Sequence, residues 1–182
     1  VYKGKEPKAL ILEVYSGELP YTDAMDLKAQ AVSEILNIRI IENLREKIQG
    51  IYTGGTEAQF EKIPYPHYSF FLQLPCGPEK IDTLLIAANA EIQNLIKNGP
   101  TKDDLEKVKK TWLEQNKVHI KENDAWLEQL QSLYFPGGNP YDGRQDEKYV
   151  NALTQKDIQD AAKLLLSTKN VLMGILRPEK SE

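Results

Sequence analysis

Histidine and cysteine are scarce in this chain: 182 residues carry two histidines and one cysteine. Cys76 stands alone, so no internal disulfide can form, which says little about compartment. His67 and His119 are far apart, and neither H-E-x-x-H nor H-x-x-E-H occurs. A structural zinc site takes about four protein ligands and a catalytic one about three. The nearest approach, His119-Ile120-Lys121-Glu122-Asn123, ends in a neutral amide and reads as a solvated helix end. Cys76 lies between Pro75 and Gly77-Pro78, before a helix start that would favour a thiolate. Without a histidine signature beside it, it reads as a small buried or rim residue. No G-x-G-x-x-G or P-loop is present. Gly54-Gly55 opens no helix, and Gly137-Gly138 is turn chemistry. No apolar run approaches the ~20 residues that span a bilayer, so no transmembrane segment is expected. The opening Val1-Tyr2-Lys3-Gly4-Lys5 lacks an apolar signal core and an initiator Met, and reads as the start of an excised piece. The net charge of −4 offers no basic field, which argues against a nucleic-acid partner.

What is present is ordinary globular composition, 41% apolar and 27% charged, enough to bury a real core. Ala9 to Tyr15 reads as a strand ending at Ser16-Gly17. Thr22 or Asp23 caps a helix in which Leu27, Ala31, Ile35, Ile38 and Ile41 form one stripe and Ala29, Val32, Leu36, Ile40 and Leu44 a second. Two adjacent stripes make a wide apolar face, and Gly50 stops the helix. Strands follow at 51–58, with Gly54-Gly55 in its middle, and at 67–75, where Tyr68, Phe70, Leu72 and Leu74 share a face. A turn-rich link, Phe60 to Pro66, makes them an antiparallel pair.

Pro78 opens a helix with Ile81, Leu84, Ala88, Ile92 and Leu95 inward, ended by Asn98-Gly99-Pro100. Thr101 caps the next, which runs to about Lys121 with Leu105, Val108 and Trp112 inward. Asn123 or Asp124 recaps a stretch carrying Trp126, Leu130 and Leu133. Residues 135–149 read as loop, and Thr154 caps a last helix through Leu166. The near-continuous apolar run from Asn170 to Arg177 predicts a strand interior to a sheet. Strands and helices are segregated, which predicts an α+β fold: a mostly antiparallel sheet with helices packed on one face, in a single domain over residues 1–182.

One constellation remains. Arg45 lies in the last turn of the first helix, Gly50 breaks it, and Tyr52 follows near the start of a strand. The helix-to-strand turn folds this seven-residue separation back, so a guanidinium and a phenol can share one space. Arg donates well to peptide carbonyls or a carboxylate, and Tyr to an oxyanion developing in acyl transfer. The plain alternative is that Arg45 complements the helix C-terminus and Tyr52 is a half-buried strand aromatic.

The segment Leu44-Arg45-Glu46-Lys47-Ile48-Gln49-Gly50-Ile51-Tyr52 resembles the Arg/Tyr motif of the pitrilysin/insulinase family of zinc metallopeptidases. Lys8 to Gly17 resembles that family's opening strand. Asn98-Gly99-Pro100-Thr101 with Asp104-Leu105-Glu106 resembles its helix restart. Asn123 to Leu127 and Asn151 to Thr154 resemble bacterial members especially, and the closing strand before Arg177-Pro178 also resembles the family. The resemblance implies the carboxy-terminal, non-zinc domain of a larger peptidase, built as a clamshell of two halves. The zinc, with its H-x-x-E-H motif, is then bound by another domain, and this chain holds no cofactor. The implied partners are the zinc-bearing amino-terminal half, on the same chain or a partner subunit, and an unstructured peptide substrate. The resemblance further implies that Arg45 holds the peptide backbone and Tyr52 helps bind the tetrahedral intermediate, and, with the zinc elsewhere, that the domain alone is inactive. The bacterial resemblance leans towards the cell envelope or periplasm. Edge addition of a peptide at the Gly54-Gly55 strand is a further expectation. The competing readings are a non-catalytic scaffold subunit of the same fold and a free-standing interaction module.

Overall fold

The computed structural model describes residues 1–40, 42–44, 53–119, 121–134 and 147–179. The order is β1 (Ala9–Glu18), α1 (Asp23–Ile40), β2 (Gly55–Glu61), β3 (His67–Cys76), a 3-10 turn (Pro78–Lys80), α2 (Ile81–Asn98), α3 (Lys102–His119), α4 (Asn123–Tyr134), α5 (Glu147–Ala152), α6 (Gln155–Leu166) and β4 (Val171–Leu176). The four strands form one antiparallel sheet in the order β2-β3-β1-β4, with Ile11 opposite both Leu74 and Ile175. This is the α+β fold that strand and helix patterning predicts.

Period-two alternation decides which sheet face meets the helices. Ile11 and Tyr15 of β1 and Tyr68, Phe70, Leu72 and Leu74 of β3 are buried there, beneath α1, α2 and α6. Both expected stripes of α1 are inward as far as they are described: Leu27, Ala31 and Ile35 with Ala29, Val32, Leu36 and Ile40. Three threonines start helices as their spacing predicts. The Thr22 hydroxyl accepts from the Met25 amide. Thr101 with Asp104, and Thr154 with Asp157, close reciprocal capping boxes.

Several boundaries differ from the sequence reading. The second strand begins at Gly55 and runs to Glu61, because Gly54 and Gly55 (φ +109° and +155°) enter the strand rather than sit inside it. Residues 147–149, read as loop, open the short helix α5, which buries Val150 against α3. β4 is an edge strand, not an interior one: Val171, Leu172 and Met173 are exposed. Its apolar run signals apolar surroundings on both faces, yet neither face of these three residues is closed by the described residues. Residues 1–3 run parallel beside its far end. The Val1 amino group donates to the Ile175 carbonyl, the Arg177 amide to the Val1 carbonyl, and the Lys3 amide to the Arg177 carbonyl, each at 2.9 Å.

Two buried polar sites anchor this frame. The Glu13 carboxylate, fully buried on the helix side of β1, accepts from the Tyr15 hydroxyl at 2.8 Å and the Asn89 amide at 3.1 Å. Burial and this neighbouring carboxylate hold the Tyr15 phenol protonated far above its usual range. Arg39, buried at the end of α1, donates to Asp104 at 2.9 Å and to the Gly99 carbonyl at 3.2 Å, tying α1 to the α2–α3 turn. Burial opposes ionisation of Asp104, but the Thr101 amide and the Arg39 guanidinium outweigh it and hold its pKa below the usual carboxylate range. Asp157 is likewise held low, by Lys28 and Thr154.

A carboxylate whose folded pKa is depressed contributes stability above its unfolded pKa and loses it as pH falls through the folded value. The urea midpoint is therefore expected to stay flat from neutral pH to about pH 5 and to fall below about pH 4, near the unfolded Asp value. Asp104→Asn should shrink that acid drop. An identical drop in the variant would refute the role given to Asp104.

Candidate active-site frame between α1 and β2

The two residues singled out as catalytic, Arg45 and Tyr52, lie outside the described residues, as do Ile41 and the Gly50 expected to stop the helix. What the structure describes is the frame on either side of them. On the helix side, Leu44 is fully buried, Asn43 donates to Glu91 at 2.5 Å, and Glu42 lies 3.6 Å from Lys107. On the strand side, Thr53 and Gly54 are exposed and Thr56 is buried.

Between these sides runs a polar seam. Gln30, Ser33 and Asn37 recur at helical spacing along α1 and face β2. The Asn37 carboxamide accepts from the Thr56 amide at 2.6 Å and donates to the Thr56 carbonyl at 3.1 Å. The Ser33 hydroxyl donates to the same carbonyl at 2.8 Å, and the Thr56 hydroxyl donates to the Ser33 carbonyl at 3.0 Å. Gln30 donates to the Ala58 carbonyl at 2.8 Å. Alternate residues of an edge strand turn their N–H and C=O outward, and these helix side chains take the Thr56 amide and carbonyl and the Ala58 carbonyl. Addition of a peptide along this stretch, expected from the Gly54-Gly55 pair, would have to displace them.

The glycines serve a different purpose. A Cβ on Gly54 would stand 2.3 Å from the Gln73 carbonyl oxygen, and one on Gly55 2.4 Å from Asn37 Oδ1. Their lack of side chains lets the chain lie close against Gln73 of β3 and Asn37 of α1, which is a packing requirement.

Other singled-out residues are structural where they are described. Burial, with the charge of Glu79 added, raises the Cys76 thiol, so Cys76 is a protonated core residue rather than a nucleophile. The His67 ring contacts the Tyr65 carbonyl at 2.8 Å and stacks near the Tyr65 ring, with Glu61 3.8 Å away. The His119 side chain is outside those described. Among the described residues no group of three or more His, Cys, Asp or Glu is arranged to hold a metal ion. The described part of this domain therefore does not fit a zinc site. No described helix is long and apolar enough to cross a membrane.

Residues 8–111 match the family model of the peptidase M16 inactive domain. The chain belongs to that family. This places it among the pitrilysin/insulinase peptidases, as the Arg/Tyr segment and the helix restart suggested. No curated protein sequence matches the chain. Solved structures share the M16 fold across nearly all of it. The periplasmic protease PqqL from Escherichia coli aligns with TM-score 0.78 and 19% identity over 98% of this chain and 20% of its own. A protease from Helicobacter pylori aligns with TM-score 0.83 and 14% identity over 98% and 43%. A Bordetella pertussis protein described as a zinc protease aligns with TM-score 0.66 and 17% identity over 92% and 93%. The chain thus spans about a fifth of PqqL and about two fifths of the Helicobacter protease.

Sequence reasoning missed Asn37, Ser33, Arg39 and Glu13. The signals were available: polar residues on the wide apolar face of α1, and a carboxylate at the centre of β1 with Ile11 and Tyr15 two residues to either side.

Proposed function

We propose that this chain is the carboxy-terminal, substrate-binding domain of a zinc metallopeptidase, completing in trans an active site whose metal is held by another domain. The observation that carries the reading is the M16 family match over residues 8–111, which encloses the Arg45–Tyr52 motif. In this reading Arg45 donates to the backbone of an extended peptide. Tyr52 donates to the oxyanion that forms as the scissile carbonyl is attacked. The partners are the zinc-bearing half, on the same polypeptide or a second subunit, and an unstructured peptide. The periplasmic location of PqqL supports an envelope location. The second reading, a scaffold of the same fold, is favoured by the family model's own description as an inactive domain.

Zinc-dependent cleavage of an unstructured fluorogenic peptide by the full-length parent protein tests the choice. Tyr52→Phe and Arg45→Ala are each expected to lower turnover by about a hundredfold with folding intact. Near-normal cleavage by both variants would make the pair structural. A wild-type parent that cleaves nothing with zinc present would favour the scaffold.

A further inference from the structure

We infer that the open margin of β4 is covered by the residues directly before Val1 in the longer polypeptide, which carry on past Met173 to Val171 the parallel strand that residues 1–3 begin. The inference rests on the reading above only in taking this domain as the later part of a longer chain.

Direction and register are both set by bonds already made. Tyr2 lies opposite Arg177 in a parallel bridge. The Val1 nitrogen donates to the Ile175 carbonyl, the Arg177 amide to the Val1 carbonyl and the Lys3 amide to the Arg177 carbonyl, as in a parallel ladder. A peptide N–H at Val1 makes the same bond as the amino group does. With Tyr2 opposite Arg177, Val1 is opposite Leu176, and the five positions before it fall opposite Ile175, Gly174, Met173, Leu172 and Val171. Ile175 and Arg177 turn their groups away from β1, so by period two Met173 and Val171 do the same. No described residue bonds to the outward groups of Met173. The surroundings are apolar on both faces of the sheet. Val171 and Met173 lie opposite Tyr15 and Glu13 on the helix side, and Leu172 lies opposite Val14 on the other. They are 40%, 52% and 61% exposed. Free sheet edges are normally blunted by charge, proline or a bulge, and Val171–Leu176 has neither charge nor proline. A segment joined to Val1 arrives in register at high effective concentration. A second copy would have to butt against Val1 and bring its own net charge of −4. The domain is then tied to what precedes it by a backbone ladder rather than a loose linker.

The test is amide hydrogen exchange in the full-length parent protein. The Met173 amide is expected to exchange about a hundredfold or more slower than in an unstructured chain, at every protein concentration and without added peptide. Replacing the five residues before Val1 by glycine and serine should speed exchange at Met173 by about tenfold or more. Leu172 and Gly174, which face β1, should change by less than about threefold. If that variant does not fold, a single proline at the second position before Val1 serves. Its missing N–H is the one directed at the Met173 carbonyl, and a rise of about threefold or more at Met173 is expected. Exchange at Met173 as fast as in a free chain would overturn the inference, and so would protection that survives both changes. Protection that grows with protein concentration would assign the margin to a second copy, and protection seen only with added peptide would assign it to substrate; either result also overturns it. Peptide cleavage is not the readout, so a parent that proves inactive defeats the peptidase reading and leaves this result to be decided by exchange alone.

Discussion

Replacing Arg39 by methionine is expected to destabilise the domain by about 3–5 kcal/mol, the usual loss when one partner of a buried ion pair is removed. For a chain of this length that is a fall in Tm of roughly 6–20 °C. Arg39 is 7% exposed and Asp104 8%. Its guanidinium serves both the Asp104 carboxylate and the Gly99 carbonyl, so one substitution strands an acceptor on each side of the α2–α3 turn. The net worth of the pair is smaller than this loss, because Nη1 is buried without a partner among the described residues. Arg39→Met/Asp104→Asn should therefore be more stable than Arg39→Met alone: it removes the stranded charge while keeping a capping oxygen for the Thr101 amide. Urea unfolding checks both statements. A single variant within about 1 kcal/mol of wild type would show the pair to be peripheral.

Gly54→Ala is expected to cost about 3 kcal/mol or more. Two effects add: a positive φ penalises a Cβ by roughly 1–2 kcal/mol, and this Cβ would meet a backbone carbonyl. The contacts are 2.3 Å to the Gln73 oxygen and 2.8 Å to the Pro75 ring, neither of which is the tip of a flexible side chain. Relief requires β2 to part from β3 at the first rung of their ladder. Gly174→Ala is the control, since nothing lies within 4 Å of its added Cβ. It should leave Tm within about 2 °C, or well under 1 kcal/mol. Equal effects at the two glycines would mean that the crossing at Gly54 is not tight.

The elements that sequence patterning placed correctly are those where one physical signal dominates. β3 alternates without a break from Tyr68 to Leu74, and each of the three threonine-started helices carries its cap where the spacing demands. β4 was misplaced because an apolar run reports greasy surroundings, not a position in the sheet. Leu172 and Met173 read the same whether a neighbouring strand is present or not. The start of β2 was misplaced because two glycines look alike inside a strand and at its entrance, and only the close approach to Gln73 and Asn37 tells them apart. At the candidate site, Arg45 and Tyr52 were singled out by their family likeness, and they lie outside the described residues. The residues that frame them were not singled out, since burial of Asn37, Ser33 and Arg39 depends on which face of α1 meets β2. Helical periodicity limits that choice without naming the polar exceptions.

The sheet's two rims differ in kind. Along β2, the Thr56 amide and carbonyl and the Ala58 carbonyl are taken by helix side chains. Along β4, residues 1–3 bond only between Ile175 and Arg177, and the apolar stretch Val171 to Met173 faces outward beyond them. Among the described residues the two margins therefore differ: an added strand would have to displace helix side chains at Thr56 and Ala58 on one, and would meet exposed apolar residues on the other. Where the exposed margin of β4 meets its own copy, the pairing would use that one margin on each partner.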